Sequence, residues 1–190
     1  MQIEIPEIRA IFLPNGGLKK MKMLLPREKI AERVRALGAQ LTADYRDRRP
    51  VCIALMNGAM PFAADLIRAM DVPIELDTLS VSSYSGQHSS GEIKFRSSLK
   101  LPVAGRDVLL IDDILDSGAT LRKLSDYLVR EAHAEEVKTC VLLDKKIPRK
   151  PEALAHADYT GFEIEDLFVV GYGLDNDEQF RNLPDIFVCD

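Results

Sequence analysis

Apolar residues follow a helical rhythm in three stretches of the chain. Between residues 26 and 45 they recur every three or four positions, at Ile30, Val34, Leu37 and Leu41, which is the spacing of an amphipathic helix. Similar spacing predicts helices over 62–70 and 119–132. Strand-like segments separate and follow these helices, at 51–56, 74–84, 107–111 and 137–143.

The alternation of strands and helices predicts an α/β fold with a mainly parallel twisted sheet flanked by helices. Ligands bind such sheets beyond the carboxyl ends of the strands, which would bring three loops together: Asn57–Gly58, Asp112–Thr120 and Asp144–Lys145. We expect a single domain, with a core over about 26–149 and a smaller subdomain built from residues 1–25 and 150–190.

Composition narrows the function class. The 190 residues are 46% hydrophobic and 29% charged, as in a soluble globular protein. The N-terminus lacks the apolar run of a signal peptide, and no segment has membrane-spanning length, so we expect a cytoplasmic protein without a membrane partner. A net charge of −5 also argues against nucleic acid as a partner, although "DKKIPRK" at 144–150 could form a local basic patch.

The stretch from Val108 to Leu121, "VLLIDDILDSGATL", is the richest in chemistry. Its small residues at 116–120 follow a predicted strand and precede a predicted helix, so backbone N–H groups at the helix N-terminus could hold a phosphate. The alternative is an ordinary helix entry, with Asp116 or Ser117 as the N-cap residue.

Asp112 and Asp113 favour the ligand site, because carboxylates at the end of a buried strand are costly without polar partners. A carboxylate does not bind phosphate directly, but it accepts hydrogen bonds from hydroxyl groups and can lie beside a magnesium ion. A sugar phosphate meets both requirements. Other chemistries find no support, since the sequence has no P-loop, no metal-ligand spacing of histidines and no nucleophile elbow.

In these residues the chain resembles the phosphoribosyltransferases, whose phosphoribosyl-pyrophosphate motif is an apolar strand, two acids and a D-[ST]-G-x-T turn. Two more segments resemble the hypoxanthine-guanine members: "SSYSGQHSSGEIK" at 82–94 and "GFEIEDLFVVGYGLDNDEQFRNLP" at 161–184. The resemblance implies the type I phosphoribosyltransferase fold, with a small hood subdomain from the chain ends. It also implies a homodimer or homotetramer.

The activity implied by this resemblance is purine salvage. Hypoxanthine or guanine would react with 5-phosphoribosyl 1-pyrophosphate to give IMP or GMP and pyrophosphate, with Mg²⁺ as cofactor. Two alternatives stay open. One is a transferase that prefers xanthine or adenine, and the other is a nucleic-acid-binding regulator with the same fold that uses residues 144–150.

The resemblance assigns the ribose and the 5′-phosphate to the first motif. Asp112 and Asp113 would hold the ribose hydroxyls, and Asp116 would act as general acid/base under the purine N7. The phosphate would bind six consecutive residues: Asp116, Ser117, Gly118, Ala119, Thr120 and Leu121.

Other loops would hold the remaining groups. The purine would lie against Lys145, Phe168, Val169 and Asp175. The pyrophosphate would bind Asn57, Gly58 and Arg181, and the magnesium ion would lie near Asp175, Asp112 and Asp113. A flexible loop that includes Ser83, Tyr84 and Lys94 would close over the reacting groups. The alternative for each is a plain strand position or a solvated charge.

The loop after the strand at 51–56 departs from the family pattern. It contains Met56-Asn57-Gly58-Ala59 where many members have Leu-Lys-Gly-Gly. With the lysine missing, the loop would bind pyrophosphate through its backbone. The non-proline cis peptide bond of the family would fall between Met56 and Asn57.

Overall fold

Two sheets and three helices make up the part of the chain that the computed structural model describes, which is residues 8–12, 17–83 and 93–189. In chain order the elements are β1 (Ile8–Phe12), β2 (Leu18–Leu25), α1 (Arg27–Asp44), β3 (Val51–Met56), α2 (Met60–Ala69), β4 (Glu75–Ser83), β5 (Ile93–Phe95), β6 (Asp107–Leu115), α3 (Ala119–Arg130), β7 (Glu136–Lys145), β8 (Tyr159–Ile164), β9 (Val169–Val170) and β10 (Ile186–Val188).

The larger sheet has six strands in the order β5-β4-β3-β6-β7-β8. Five of them are mutually parallel, and β5 pairs antiparallel with β4 at one edge. Helices cover both faces, since α1 and α2 pack together on one face and α3 packs on the other. The predicted α/β fold with a mainly parallel sheet is confirmed.

Alternate side chains of the central strands enter opposite layers of the core. In β3, Cys52 and Ala54 pack with α1 and α2, whereas Val51 and Ile53 pack with α3. Both sets are apolar because both faces of a central parallel strand are buried. This is why the sequence of β3 is a continuous apolar run and does not alternate.

The chain ends form the smaller sheet, with the order β1-β2-β10-β9 and antiparallel pairing throughout. Met21, Val170 and Phe187 contribute to a small core of its own. The buried carboxylate of Asp185, just before β10, accepts hydrogen bonds from the backbone N–H and the guanidinium of Arg27 at the start of α1. This contact ties the smaller sheet to the helical layer of the larger one.

Some boundaries differ from the predicted ones. β8 lies within residues 150–190 but pairs with β7 in the larger sheet, so that sheet continues past the predicted limit at residue 149. As an edge strand with polar positions, β8 has little of the apolar signal that marks a central strand. The ladder between β6 and β7 continues to the pair Leu115–Asp144. Asp112 and Asp113 therefore lie within β6 and not after it.

No helix in the described part of the chain combines the length and the apolar character needed to cross a membrane.

Candidate active site

A cavity of about 460 Å³ opens at the carboxyl ends of β3 and β6. Most of the residues that the sequence predicts for the site line it: Gly58, Asp112, Asp113, Asp116, Ser117, Gly118, Thr120, Leu121, Asp175 and Arg181. These residues are remote in sequence but meet at the edge of the sheet where parallel α/β folds bind their ligands. A larger cavity of about 630 Å³, between residues 96–104 and α3, has mainly apolar walls.

Gly118 shapes the turn from β6 into α3. Its φ of +74° lies in the left-handed region that favours glycine, and a Cβ atom there would lie 2.3 Å from the carbonyl oxygen of Leu154. Gly118 is also the N-cap residue of α3 and has no side chain to cap it. The alternative, in which Ser117 caps the helix, has only weak support, because its hydroxyl accepts one long hydrogen bond of 3.4 Å from the N–H of Ala119. The N-terminus of α3 thus has free donors for an anion.

Asp112 and Asp113 are partly buried at the wall of this cavity. Burial raises the pKa of Asp112 well above its usual range, and the neighbouring carboxyl group of Asp113 raises it further. Burial also raises the pKa of Asp113, an effect that hydrogen bonds and the guanidinium of Arg181 partly offset. Two desolvated acids side by side are well suited to hydrogen-bond donors or a cation.

The loop after β3 packs directly on this acid pair. A Cβ atom at Gly58 would lie 1.8 Å from Oδ2 of Asp113, so only glycine fits without movement of the carboxylate. The peptide bond between Met56 and Asn57 is cis, as predicted. Asn57 itself is exposed and lies outside the lining of the cavity.

Arg181 and Asp175 lie together in the lining of the same cavity. Nη2 of Arg181 is 2.9 Å from Oδ1 of Asp175, and its Nη1 donates to the carbonyl oxygen of Gly173 at 2.8 Å. Gly173 packs against the loop after β3, since a Cβ atom there would lie 2.0 Å from the carbonyl oxygen of Gly58. The C-terminal loop therefore closes the cavity against the loop that the sequence predicts to bind pyrophosphate.

Lys145, the last residue of β7, is only 9% exposed. Its Nζ lies 3.3 Å from Oδ2 of Asp116 and 3.2 Å from Oδ1 of Asp166. The alternative of a solvated lysine is therefore wrong. The contact with Asp116 places the ammonium group beside the cavity.

Phe168 and Val169 lie next to each other but face different surroundings. The side chain of Phe168 is 53% exposed, although a large aromatic group normally gains free energy from burial. Val169 is buried in β9, where it pairs with Val188 of β10. An exposed phenyl ring on a strand-anchored backbone can stack on a planar ligand.

The predicted loop residues are only partly described. Ser83 ends β4 and Lys94 lies in the antiparallel strand β5. Tyr84 lies outside the described residues, as does most of the segment 82–94.

The basic stretch 144–150 does not present a uniform cationic surface. Lys145 and Arg149 are buried, and Lys146 lies 3.6 Å from Glu163 and 3.7 Å from Glu165. This arrangement removes the feature that favoured a nucleic-acid-binding regulator.

Two residues near the site were not predicted from the sequence. Asp166 contacts Lys145, and Arg149 donates to the backbone of both Asp116 and Lys145. The motif around Phe168 placed Asp166 nearby in sequence, but only the pairing of β7 with β8 brings it to Lys145. Arg149 lies within the basic stretch 144–150, and no feature of that sequence indicates that its side chain is buried.

A parallel α/β sheet with an acid pair, Asp112 and Asp113, and a glycine-containing turn before a helix, residues 116–120 (the anion turn), at its carboxyl edge is the arrangement of a phosphoribosyltransferase. The phosphoribosyl transferase domain family matches residues 20–177 of this chain, and the chain belongs to that family.

Similar proteins include hypoxanthine-guanine phosphoribosyltransferases of bacteria. The hypoxanthine-guanine phosphoribosyltransferase of Bacillus subtilis is 48% identical over 168 residues, which cover 88% of this chain and 92% of that protein. The enzyme of the same name from Aquifex aeolicus is 44% identical over 174 residues, covering 90% and 96%. A crystal structure of a hypoxanthine phosphoribosyltransferase from Staphylococcus aureus superposes with a TM-score of 0.82 at 39% identity, covering 88% and 90%.

Proposed function

We propose that this protein is a hypoxanthine-guanine phosphoribosyltransferase of purine salvage. It transfers the 5-phosphoribosyl group from 5-phosphoribosyl 1-pyrophosphate to hypoxanthine or guanine and releases pyrophosphate. The observation that supports this most directly is that the acid pair, the anion turn and the Asp175–Arg181 pair all line the same cavity. The names of the relatives support the same activity.

The anion turn and the acid pair hold the sugar phosphate. The 5′-phosphate accepts hydrogen bonds from backbone N–H groups of residues 117–121 and from the hydroxyl groups of Ser117 and Thr120. The ribose 2′- and 3′-hydroxyls donate to Asp112 and Asp113. The acids can lie beside an anion site because they bind the uncharged ribose hydroxyls and not the phosphate.

Lys145 and Asp116 act on the purine base. A 6-carbonyl accepts a hydrogen bond from Nζ of Lys145, whereas the amino group of adenine offers a donor and would leave buried groups unpaired. As the C1′–pyrophosphate bond breaks and the bond from C1′ to the base nitrogen N9 forms, the proton on N7 passes to the carboxylate of Asp116. Phe168 stacks on the ring and the backbone of Val169 contacts its edge.

The residues of the cavity fit a magnesium ion that is shared with the substrate. Mg²⁺ typically binds one or two carboxylates together with substrate oxygens. The candidate ligands are Asp175 and the pair Asp112–Asp113, which line the same cavity. A bound magnesium ion would neutralise charge on the departing pyrophosphate.

Pyrophosphate binds Arg181 and the loop after β3. The guanidinium of Arg181 lies on the cavity wall, and the backbone of Asn57 and Gly58 takes the place of the missing lysine. That the segment 82–94 forms a loop that excludes water from the oxocarbenium-like transition state stays a prediction from the sequence, since most of it lies outside the described residues.

The experiment that tests this function is a panel of bases with 5-phosphoribosyl 1-pyrophosphate and Mg²⁺, with pyrophosphate release as the readout. Hypoxanthine and guanine should be used at least about tenfold more efficiently than adenine. A higher efficiency with xanthine or adenine would overturn the assignment of the base. The further proposals of a cytoplasmic location and of a homodimer or homotetramer are tested by fractionation and by light scattering.

A further inference from the structure

Arg149 makes the densest set of side-chain hydrogen bonds around the candidate site. Its side chain is only 5% exposed. Nε donates to the carbonyl oxygen of Asp116 at 2.7 Å, and Nη1 donates to that of Ala155 at 2.5 Å. Nη2 has three acceptors, which are the carbonyl oxygens of Leu115 and Lys145, at 2.7 and 2.8 Å, and Oδ1 of Asp144, at 2.7 Å.

Most of these acceptors lie at the ends of β6 and β7: Leu115, Asp144 and Lys145 belong to the strands, and Asp116 directly follows β6, whereas Ala155 lies in the loop between β7 and β8. The ladder of β6 with β7 ends at the pair Leu115–Asp144. Beyond that pair, Arg149 donates to the carbonyl oxygen of the next residue of each chain segment, Asp116 and Lys145. The guanidinium therefore continues the link between the two strands at the point where backbone pairing stops.

The two residues held in this way are those proposed to receive the proton and to recognise the 6-carbonyl. Their side chains are in contact, with Nζ of Lys145 3.3 Å from Oδ2 of Asp116. A planar guanidinium with five N–H groups in a fixed fork can hold several carbonyl oxygens at set distances, whereas a lysine ammonium cannot. The carboxylate of Asp144, 8% exposed, neutralises the buried charge.

We propose that Arg149 is a positioning residue that sets the distance between Asp116 and Lys145, so that both act on the same base. This inference rests on the proposed function, because it assigns a purpose to two residues of that site. A displacement of about 1 Å in such a site can reduce the rate by about a hundredfold. A role in stability alone would leave the geometry of the base site unchanged.

The test compares Arg149→Lys with Arg33→Lys. Arg33 is a matched control, since its guanidinium also donates to two carbonyl oxygens, of Thr160 at 2.6 Å and Gly161 at 2.8 Å, but ties α1 to β8. Arg149→Lys should lower kcat with hypoxanthine by at least about tenfold and raise its KM. Arg33→Lys should change the melting temperature but neither constant.

Two further measurements separate positioning from stability. Guanidinium ions at low millimolar concentration should restore part of the activity of Arg149→Ala, because a free guanidinium can occupy the same acceptors. In a Lys145→Ala background, Arg149→Lys should cause no further loss of the preference for hypoxanthine over adenine, since residues that act as a unit are non-additive.

The proposal is overturned if Arg149→Lys loses activity only in proportion to its folded fraction, as Arg33→Lys would, or if the two substitutions are additive in base preference. Should Arg149→Lys fail to fold, the rescue of Arg149→Ala decides, and its absence overturns the proposal. If the wild-type protein itself does not convert hypoxanthine or guanine, the proposed function has failed and not the role of Arg149.

Discussion

The ammonium group of Lys145 lies 3.3 Å from a carboxylate oxygen of Asp116, although the two residues are 29 positions apart in sequence. Lys145 ends β7 and Asp116 directly follows the adjacent parallel strand β6, and the ladder between the two strands runs up to the pair Leu115–Asp144. A base that bonds to Lys145 through its 6-carbonyl must therefore lie beside Asp116. Under the proposed function, this one contact would couple recognition of the base to transfer of its proton.

Asp116→Asn is expected to lower kcat by about a hundredfold or more, because general acid–base catalysis is typically worth that much. The affinity for 5-phosphoribosyl 1-pyrophosphate should change little, since the amide is nearly isosteric and backbone N–H groups hold the phosphate. Steady-state kinetics and equilibrium binding measure the two effects. Asp126→Asn on the surface of α3, which removes an ion pair with Arg122, serves as control. Near wild-type turnover of Asp116→Asn would show that Asp116 is not the base.

Lys145→Ala and Lys146→Ala make a matched pair of adjacent substitutions. Lys145 is buried against Asp116 and Asp166, whereas Lys146 contacts two exposed glutamates. Only Lys145→Ala should reduce kcat/KM for hypoxanthine and guanine and narrow their lead over adenine, with a loss of about 1–3 kcal/mol from an unpaired carbonyl. The measurement is kcat/KM for the three bases. Equal small effects from both variants would rule out Lys145 as the residue that recognises the carbonyl.

Asp175→Asn is expected to raise the Mg²⁺ concentration for half-maximal rate by about tenfold or more, if Asp175 is a ligand of the metal. The control is Asp177→Asn, an exposed aspartate two residues further along the same loop. Rates are measured over a magnesium titration, and a chelator should abolish activity in all variants. An unchanged magnesium requirement in Asp175→Asn would show that Asp175 is not a ligand of the metal ion. Activity without any divalent cation would show that the reaction needs no metal ion.

The residues of the 108–121 motif could be predicted from the sequence because they are contiguous. The short apolar run indicates a strand, the two acids indicate the carboxyl edge of the sheet, and the small-residue turn indicates the start of a helix. These inferences need no knowledge of the rest of the fold. The strand at 51–56 was likewise predicted with its exact limits, since buried central strands have a continuous apolar signal. The extension of β6 to Leu115 was missed because Asp112 and Asp113 interrupt that signal.

The contacts of Arg149 and Asp166 could not be predicted, for a different physical reason. Both depend on the register of β7 with its neighbours, and register is a property of strand pairs and not of one segment. Within "DKKIPRK" the local pattern does not distinguish a buried cation from a solvated one. Lys145 could be placed at this edge of the sheet because it lies at the carboxyl end of a strand, whereas Arg149 lies four residues later in a loop.

The last prediction concerns Asp77, a 6% exposed carboxylate in β4. Its oxygens accept hydrogen bonds from the backbone N–H groups of Thr78 at 2.8 Å, Lys100 at 2.6 Å and Leu101 at 2.9 Å. Burial by itself would raise the pKa of Asp77, but these hydrogen bonds outweigh it, so the pKa lies below its ordinary value. The carboxylate thus anchors the segment after β5 to β4.

Since the folded protein holds Asp77 as an anion more strongly than the unfolded chain does, the unfolded state binds more protons in the acid range and stability rises with pH there. The contribution is complete above the ordinary aspartate pKa of about 4 and is lost as the pH falls below it. Asp77→Asn should therefore lower the free energy of unfolding by about 1–3 kcal/mol at pH 7, and the difference from wild type should be smaller at pH 3. Urea unfolding at both pH values measures this, with Asp126→Asn as the exposed control. A difference that is equally large at both pH values would mean that the charge of Asp77 does not stabilise the anchor.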